Sequence, residues 1–130
     1  MNLKVTSANI RFQNPADGLH DWPFRRGPMS EIINDFAPDI LGTQEGLRPQ
    51  LKDLAKLLPD YDLVDFHRDW IDVRMYPCIF VKKGRLEVIK SGDIWLSETP
   101  YTAASKSFNS AFPRLCSWAR VKDLKKNKEL

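Results

Sequence analysis

The chain has 130 residues, room for one domain and too few for two ordinary ones. Hydrophobic residues at 42% and charged residues at 28% are globular proportions, and no apolar run approaches the ~18 residues of a membrane span, so compositional disorder and a transmembrane helix are both excluded. The formal charge is +3, but the segment Lys122 to Leu130 alone holds four lysines against two acids; the remaining body is nearly neutral, which excludes nucleic-acid binding by bulk charge.

In chain order, the stretch from Leu3 to Ile10 is short and β-branched and is predicted as a strand. Asn14-Pro15 and Asp17-Gly18 supply turn chemistry, so Gln13 to Pro23 is a surface loop. Phe24, Met29, Ile32, Ile33 and Phe36 then fall at helical spacing, with Pro28 in the first turn and Pro38 as the stop. Asp39 to Gln44 is a second strand. Pro49 opens a second helix with Leu51, Leu54 and Leu58 on one face. Strands follow at Tyr61 to Phe66, Tyr76 to Lys82 and Leu86 to Leu96, the last two joined at Lys83-Gly84-Arg85 as a hairpin. Ser97 to Pro113 is a long polar loop, of a length that is usually functional or mobile. Leu115 to Val121 is a last strand, and the segment after it is a basic tail or a hairpin cut short. This order predicts a layered α/β or α+β domain.

Cys78 and Cys116 both lie in strand-like apolar runs, which predicts buried free thiols in a reducing compartment. The N-terminus has no apolar stretch of the ~7–15 residues that a signal peptide needs, and a cytoplasmic location is the expectation.

Four constellations could carry chemistry. Asn9 and Glu45 each end a predicted strand, and open sheets bind ligands beyond their strand ends. A carboxylate beside an amide suits a hard oxygen-seeking cation such as Mg²⁺; the same residues could equally cap turns. Arg11 with Arg25 and Arg26 offers guanidinium groups for phosphate, or a solvated helix face. His20 and His67 lack metal-ligand spacing and are expected at the surface. Ser97 to Trp118 mixes cations with aromatics, among which Trp118 is expected in the core. No histidine stands at a recognisable offset from a serine or cysteine, so no nucleophilic triad is expected.

Five motifs occur in order: Ser7-Ala8-Asn9-Ile10-Arg11, Trp22-Pro23-Phe24-Arg25-Arg26, Asp39-Ile40-Leu41-Gly42-Thr43-Gln44-Glu45, Gly92-Asp93-Ile94-Trp95-Leu96-Ser97-Glu98-Thr99-Pro100, and Pro113-Arg114-Leu115-Cys116-Ser117-Trp118-Ala119-Arg120. Together they resemble the start of an endonuclease/exonuclease/phosphatase domain, the deoxyribonuclease-I-like superfamily, in its bacterial branch akin to deadenylase-type phosphodiesterases. The resemblance implies a four-layer α/β sandwich, two sheets face to face with helices outside. It implies phosphoester cleavage that depends on Mg²⁺ or Mn²⁺. Glu45 matches the metal-binding glutamate, and Asn9 matches the asparagine that supports the metal and phosphate site. Arg68-Asp69 matches an Arg-Asp pair after the third strand, and Tyr76 an aromatic at the rim. Ser105-Lys106 and Arg114 match a substrate-side loop; Arg11, Arg68, Tyr76, Lys106 and Arg114 are thus the substrate-binding candidates.

Two departures stand out. The family shows Gly-Glu before the rim aromatic, where this chain has Arg74-Met75. The family's later histidine and aspartate motifs, which supply the water-activating base, have no counterpart in the chain. Residues 1–121 are therefore expected to be the N-terminal half of such a domain and 122–130 its tail or cut hairpin. The expected function is a phosphoesterase on a nucleic acid, nucleotide or sugar phosphate, catalytically incomplete in this form. The alternatives are a binding module that self-associates through an uncovered sheet, or a truncated product without activity.

Overall fold

The computed structural model describes residues 2–130. Strand β1 runs Val5–Asn9, followed by a 3-10 helix at Pro15–His20 and helix α1 at Trp22–Phe36. Strand β2 (Ile40–Gly46), helix α2 (Arg48–Leu57) and strands β3 (Tyr61–Leu63), β4 (Tyr76–Lys82), β5 (Leu86–Trp95), β6 (Leu115–Asp123) and β7 (Lys128–Glu129) complete the order. The first sheet has the order β1-β2-β4-β3 and the second β5-β6-β7. Only β1 and β2 pair in parallel, because the crossover through α1 returns the chain in the same direction.

The layers follow from side-chain alternation. Leu41 and Phe80 of the first sheet share a core with Trp22 and Ile33 of α1 and Leu51, Leu54 and Leu58 around α2. Ile40, Ile79 and Val81 share a second core with Leu86, Val88, Ala119 and Val121 of the other sheet. The first sheet is therefore buried on both faces, helices on one and a sheet on the other, as an aligned sandwich requires. Among the described residues, both α-helices belong with the first sheet, which gives three of the four expected layers.

Three details differ from expectation. First, β4 and β5 are not a hairpin. They belong to different sheets, and the turn at Lys83-Gly84-Arg85 carries the chain across the sandwich. Gly84 takes a positive φ of 71° there, which favours glycine. Second, α1 starts at Trp22, capped by the Asp21 carboxylate on the Trp22 N–H at 2.7 Å, so Pro28 lies mid-helix. The helix also turns away from its expected face. Ile33 is buried, whereas Phe24, Ile32 and Phe36 are exposed and form a stripe with Pro28 at four-residue intervals. Third, Trp118 and Cys116 lie on the outer face of β6 and are exposed; only Cys78 is a buried thiol. Gly92 on β5 lets the Trp118 ring lie flat against it, since a Cβ there would sit 2.8 Å from the indole nitrogen.

The last residues form a hairpin. Val121 and Leu130 exchange backbone hydrogen bonds at 2.9 and 2.8 Å, and Asp123 pairs with Lys128. The buried Asp123 carboxylate takes the Arg85 guanidinium and the N–H groups of Lys125 and Lys126, which fixes this turn against the β4–β5 crossing.

Candidate functional site

The site is built where β1 and β2 end. Asn9 pairs with Gln44, so the next residue on β2 is Glu45. The ladder between β2 and β4 slips between Thr43 and Gly46, and Glu45 takes a φ of 64°. A bulge of this kind re-aims a side chain that regular pleating would send elsewhere. Gly46 makes it possible: a Cβ at that position would sit 2.7 Å from the Leu51 side chain of α2. The bulge brings Glu45 against Asn9, whose Nδ2 donates to Glu45 Oε1 at 3.0 Å.

Asn9 Oδ1 accepts the Arg11 backbone N–H at 2.9 Å. The amide thus presents its nitrogen, not its oxygen, to the carboxylate. In this arrangement Asn9 holds Glu45 in place. Gln50, fully buried, supports the same corner. Its Oε1 accepts from Gln13 N at 2.8 Å and Leu47 N at 3.2 Å, while its Nε2 donates to Arg11 O at 2.9 Å. One side chain therefore ties the segment after β1 to the start of α2. Nothing in the spacing pointed to Gln50; it stands in the first turn of α2, where glutamine commonly caps.

Asn9 and Glu45 open into a cleft of about 510 Å³, within the range of small-ligand sites. Tyr76 and Arg114 line it, and so do Arg74, Met75, Trp95 and Phe112. The Tyr76 ring is buried and its hydroxyl accepts the Ile71 N–H at 2.8 Å, so it forms the floor rather than the rim. The Arg114 guanidinium stands over the Phe112 ring at 5.9 Å, the arrangement of a cation–π contact.

Three expected substrate residues lie elsewhere. Arg11 is held by the Asp17 carboxylate through two bonds of 3.0 Å, and this pairing holds Asp17 below the ordinary carboxylate range. Lys106 lines a separate shallow depression with Glu98 and Ser107. Arg68 is buried, with its Nη1 on Cys78 Sγ at 3.1 Å and its Nε on Asp93 Oδ2 at 2.7 Å. Its Nη2 reaches Pro77 O, Asp93 Oδ1 and Ser117 Oγ. All three nitrogens of this buried guanidinium thus find acceptors inside the protein, and Arg68 does not line the cleft.

Asp93 is the hub of that cluster. It also takes the Ser117 hydroxyl at 2.7 Å and lies 3.0 Å from His67 Nε2, while His67 Nδ1 is 2.7 Å from Ser91 Oγ. His67 is therefore a partner inside the sandwich rather than a surface histidine, and a Ser-His-Asp chain exists that no sequence offset revealed. Burial pushes the Asp93 carboxyl up, but the Arg68 and Ser117 hydrogen bonds and the Arg68 charge outweigh it and leave it below the ordinary value. Burial also pushes the Cys78 thiol up to about 11, so it is not a nucleophile. The cluster bridges β4 and the second sheet and does not line the Glu45 cleft.

Among the described residues, no group of three or more histidine, cysteine, aspartate or glutamate side chains is arranged to hold a metal. The donor set at the cleft is one carboxylate with one oxygen left unengaged by hydrogen bonds. That fits a hard cation that keeps most of its water shell, as Mg²⁺ does, and does not fit a closed metal cage.

A bulged glutamate and its asparagine thus stand at paired strand ends of a two-sheet α/β sandwich. Solved structures share this fold. The chain is 32% identical to an endonuclease/exonuclease/phosphatase from Bacteroides vulgatus over 98% of its length, with a TM-score of 0.91 and 49% of that protein covered. It is 33% identical to a mannosyl-6-phosphatase of Bacteroides thetaiotaomicron, covering 99% of this chain and 49% of that one at a TM-score of 0.90. The fold alone is shared with the D. rerio TDP2 solved with a single-stranded DNA product, at 18% identity, 98% and 43% coverage and a TM-score of 0.68. No family model and no curated protein matches. The chain belongs to the endonuclease/exonuclease/phosphatase superfamily, as its motifs led one to expect, and it spans about half the length of the relatives it matches. No helix among the described residues is long and apolar enough to cross a membrane.

Proposed function

We propose that this chain carries the metal- and phosphate-binding half of a phosphoesterase dependent on Mg²⁺ or Mn²⁺. The observation that carries the reading is the Asn9–Glu45 pair, placed by a strained bulge at the mouth of a cleft. Glu45 would hold the cation through the carboxylate oxygen that Asn9 leaves free. Asn9 fixes the rotamer of Glu45, so no side-chain freedom is lost on binding. The cation, when bound, neutralises charge on a phosphoryl oxygen. The relatives include a mannosyl-6-phosphatase, and the substrate class is accordingly a sugar phosphate, a nucleotide or a nucleic-acid end. Within the described residues no histidine or aspartate lines the cleft to activate water, which supports reading the 130-residue chain as catalytically incomplete alone. Two free thiols fit a reducing compartment such as the cytoplasm.

The test is Mn²⁺ binding by calorimetry to the wild-type chain and to Glu45→Gln. The expected result is saturable binding that the substitution abolishes with the circular dichroism spectrum unchanged. In any longer form, Glu45→Gln should abolish metal-dependent hydrolysis; full activity there overturns the assignment.

One observation favours a second reading, a self-associating module. The stripe Phe24, Ile32 and Phe36 on α1 and the outward Trp118 on β6 leave two apolar surfaces uncovered. Light scattering after size exclusion separates the readings: a discrete dimer supports the module, a monomer removes it.

A further inference from the structure

The arginines of this protein are unevenly partnered. Arg11, Arg26, Arg68, Arg85 and Arg120 each meet a carboxylate, including the three whose side chains are largely solvent-facing. Four meet none: Arg25 is held instead by the carbonyls of His20, Ile10 and Arg11, Arg48 lies 6.0 Å over the Trp70 ring, and Arg74 and Arg114 line the cleft that Glu45 enters. Arg74 is half-buried as a residue. A guanidinium without a carboxylate partner on a cleft wall is a ready donor to an anionic ligand. The cleft thus presents two guanidinium groups against one carboxylate, with apolar surface from Met75, Trp95 and Phe112 between them.

We propose that Arg74 is a specificity determinant: the cleft takes a phosphoester that carries a second anionic group, and Arg74, with Arg114, receives that group. This rests on the phosphoesterase reading above for the identity of the first group. The volume of about 510 Å³ exceeds what one phosphoryl group needs and fits a small ring bearing two anionic substituents. Guanidinium recognises phosphate and carboxylate alike by paired N–H donors, so both belong to the ligand class.

The test uses the 130-residue chain and binding rather than turnover, at fixed ionic strength. Three probes are titrated by calorimetry: fructose 6-phosphate, fructose 1,6-bisphosphate and 6-phosphogluconate. The bisphosphate is expected to bind about tenfold more tightly than the monophosphate, the effect of one charge-assisted contact. Arg74→Ala, and the charge-reversing pair Arg74→Gly with Met75→Glu, should erase that preference. 6-Phosphogluconate matching the bisphosphate supports the proposal with a carboxylate accepted; matching the monophosphate supports it with phosphate alone accepted. No preference for the bisphosphate, or an Arg74→Ala loss equal for all three probes, overturns it. Glu45→Gln keeps the two readings apart. Mn²⁺ binding unaffected by that change sinks the phosphoesterase reading, whereas a lost bisphosphate preference in Arg74→Ala is read without metal.

Discussion

At the residue scale, the site depends on one hydrogen bond. Asn9 Nδ2 donates to Glu45 Oε1, and the bulge that aims Glu45 holds a non-glycine residue at positive φ, a cost of order 1 kcal/mol or more. The neighbouring Thr43 hydroxyl is buried without a partner, a further local cost beside the same bulge. If Asn9 holds rather than ligates, Asn9→Ala should weaken Mn²⁺ binding about tenfold without abolishing it, the size expected of a supporting residue. Calorimetry beside Glu45→Gln checks the ranking; complete loss in both variants would make Asn9 a direct ligand. The identities of Asn9 and Glu45 were legible in the chain because each ends a strand and sits in a motif. Their hydrogen bond, and the orientation of the amide, were not, because a one-residue ladder slip decides them and no side-chain pattern encodes it.

At the element scale, local chemistry located strands and helices well and partners less well. The strand over residues 76–82 has the expected bounds, because its apolar run is bracketed by punctuating residues. The β4–β5 pairing failed because a short Gly turn serves a sheet-to-sheet crossing as readily as a hairpin. The face of α1 failed because five apolar positions spread around the helix, and tertiary packing chose Ile33 and Trp22 over Phe24 and Ile32. The Arg68–Asp93 contact, 25 residues apart in the chain, joins the β3–β4 connection to β5 of the second sheet. Leaving its carboxylate or guanidinium unpaired inside the sandwich is the costly event, not the loss of attraction alone. Arg68→Ala should therefore destabilise by about 3 kcal/mol in urea unfolding, and Arg68→Met with Asp93→Leu by distinctly less. A double variant as unstable as the single one would mean that the pair itself supplies the stability.

At the scale of the whole molecule, acid is the sensitive direction. The Arg85 guanidinium, with two backbone N–H groups, holds Asp123 at about 2, and Asp93 also lies below its ordinary value. Carboxylates depressed on folding contribute stability above their unfolded pKa of ~3.9 and lose it as pH falls through the folded value. Stability is expected to hold level from pH 7 to about 5 and to fall between about 4 and 2. Asp123→Asn should flatten that fall; an unchanged acid limb in urea-midpoint measurements would sink the assignment. The sandwich class was legible at this scale because five motifs occur in order, while the cleft arginines without carboxylate partners emerged only with packing. The crossing at Lys83-Gly84-Arg85 has one more consequence. Among the described residues it is the sole covalent link between the two sheets, and the second sheet has no α-helix of its own. Amide protons of β5 and β6 should then exchange with deuterium as one block, at a lower opening free energy than those of β2 and β4, which lie under helices and sheet alike.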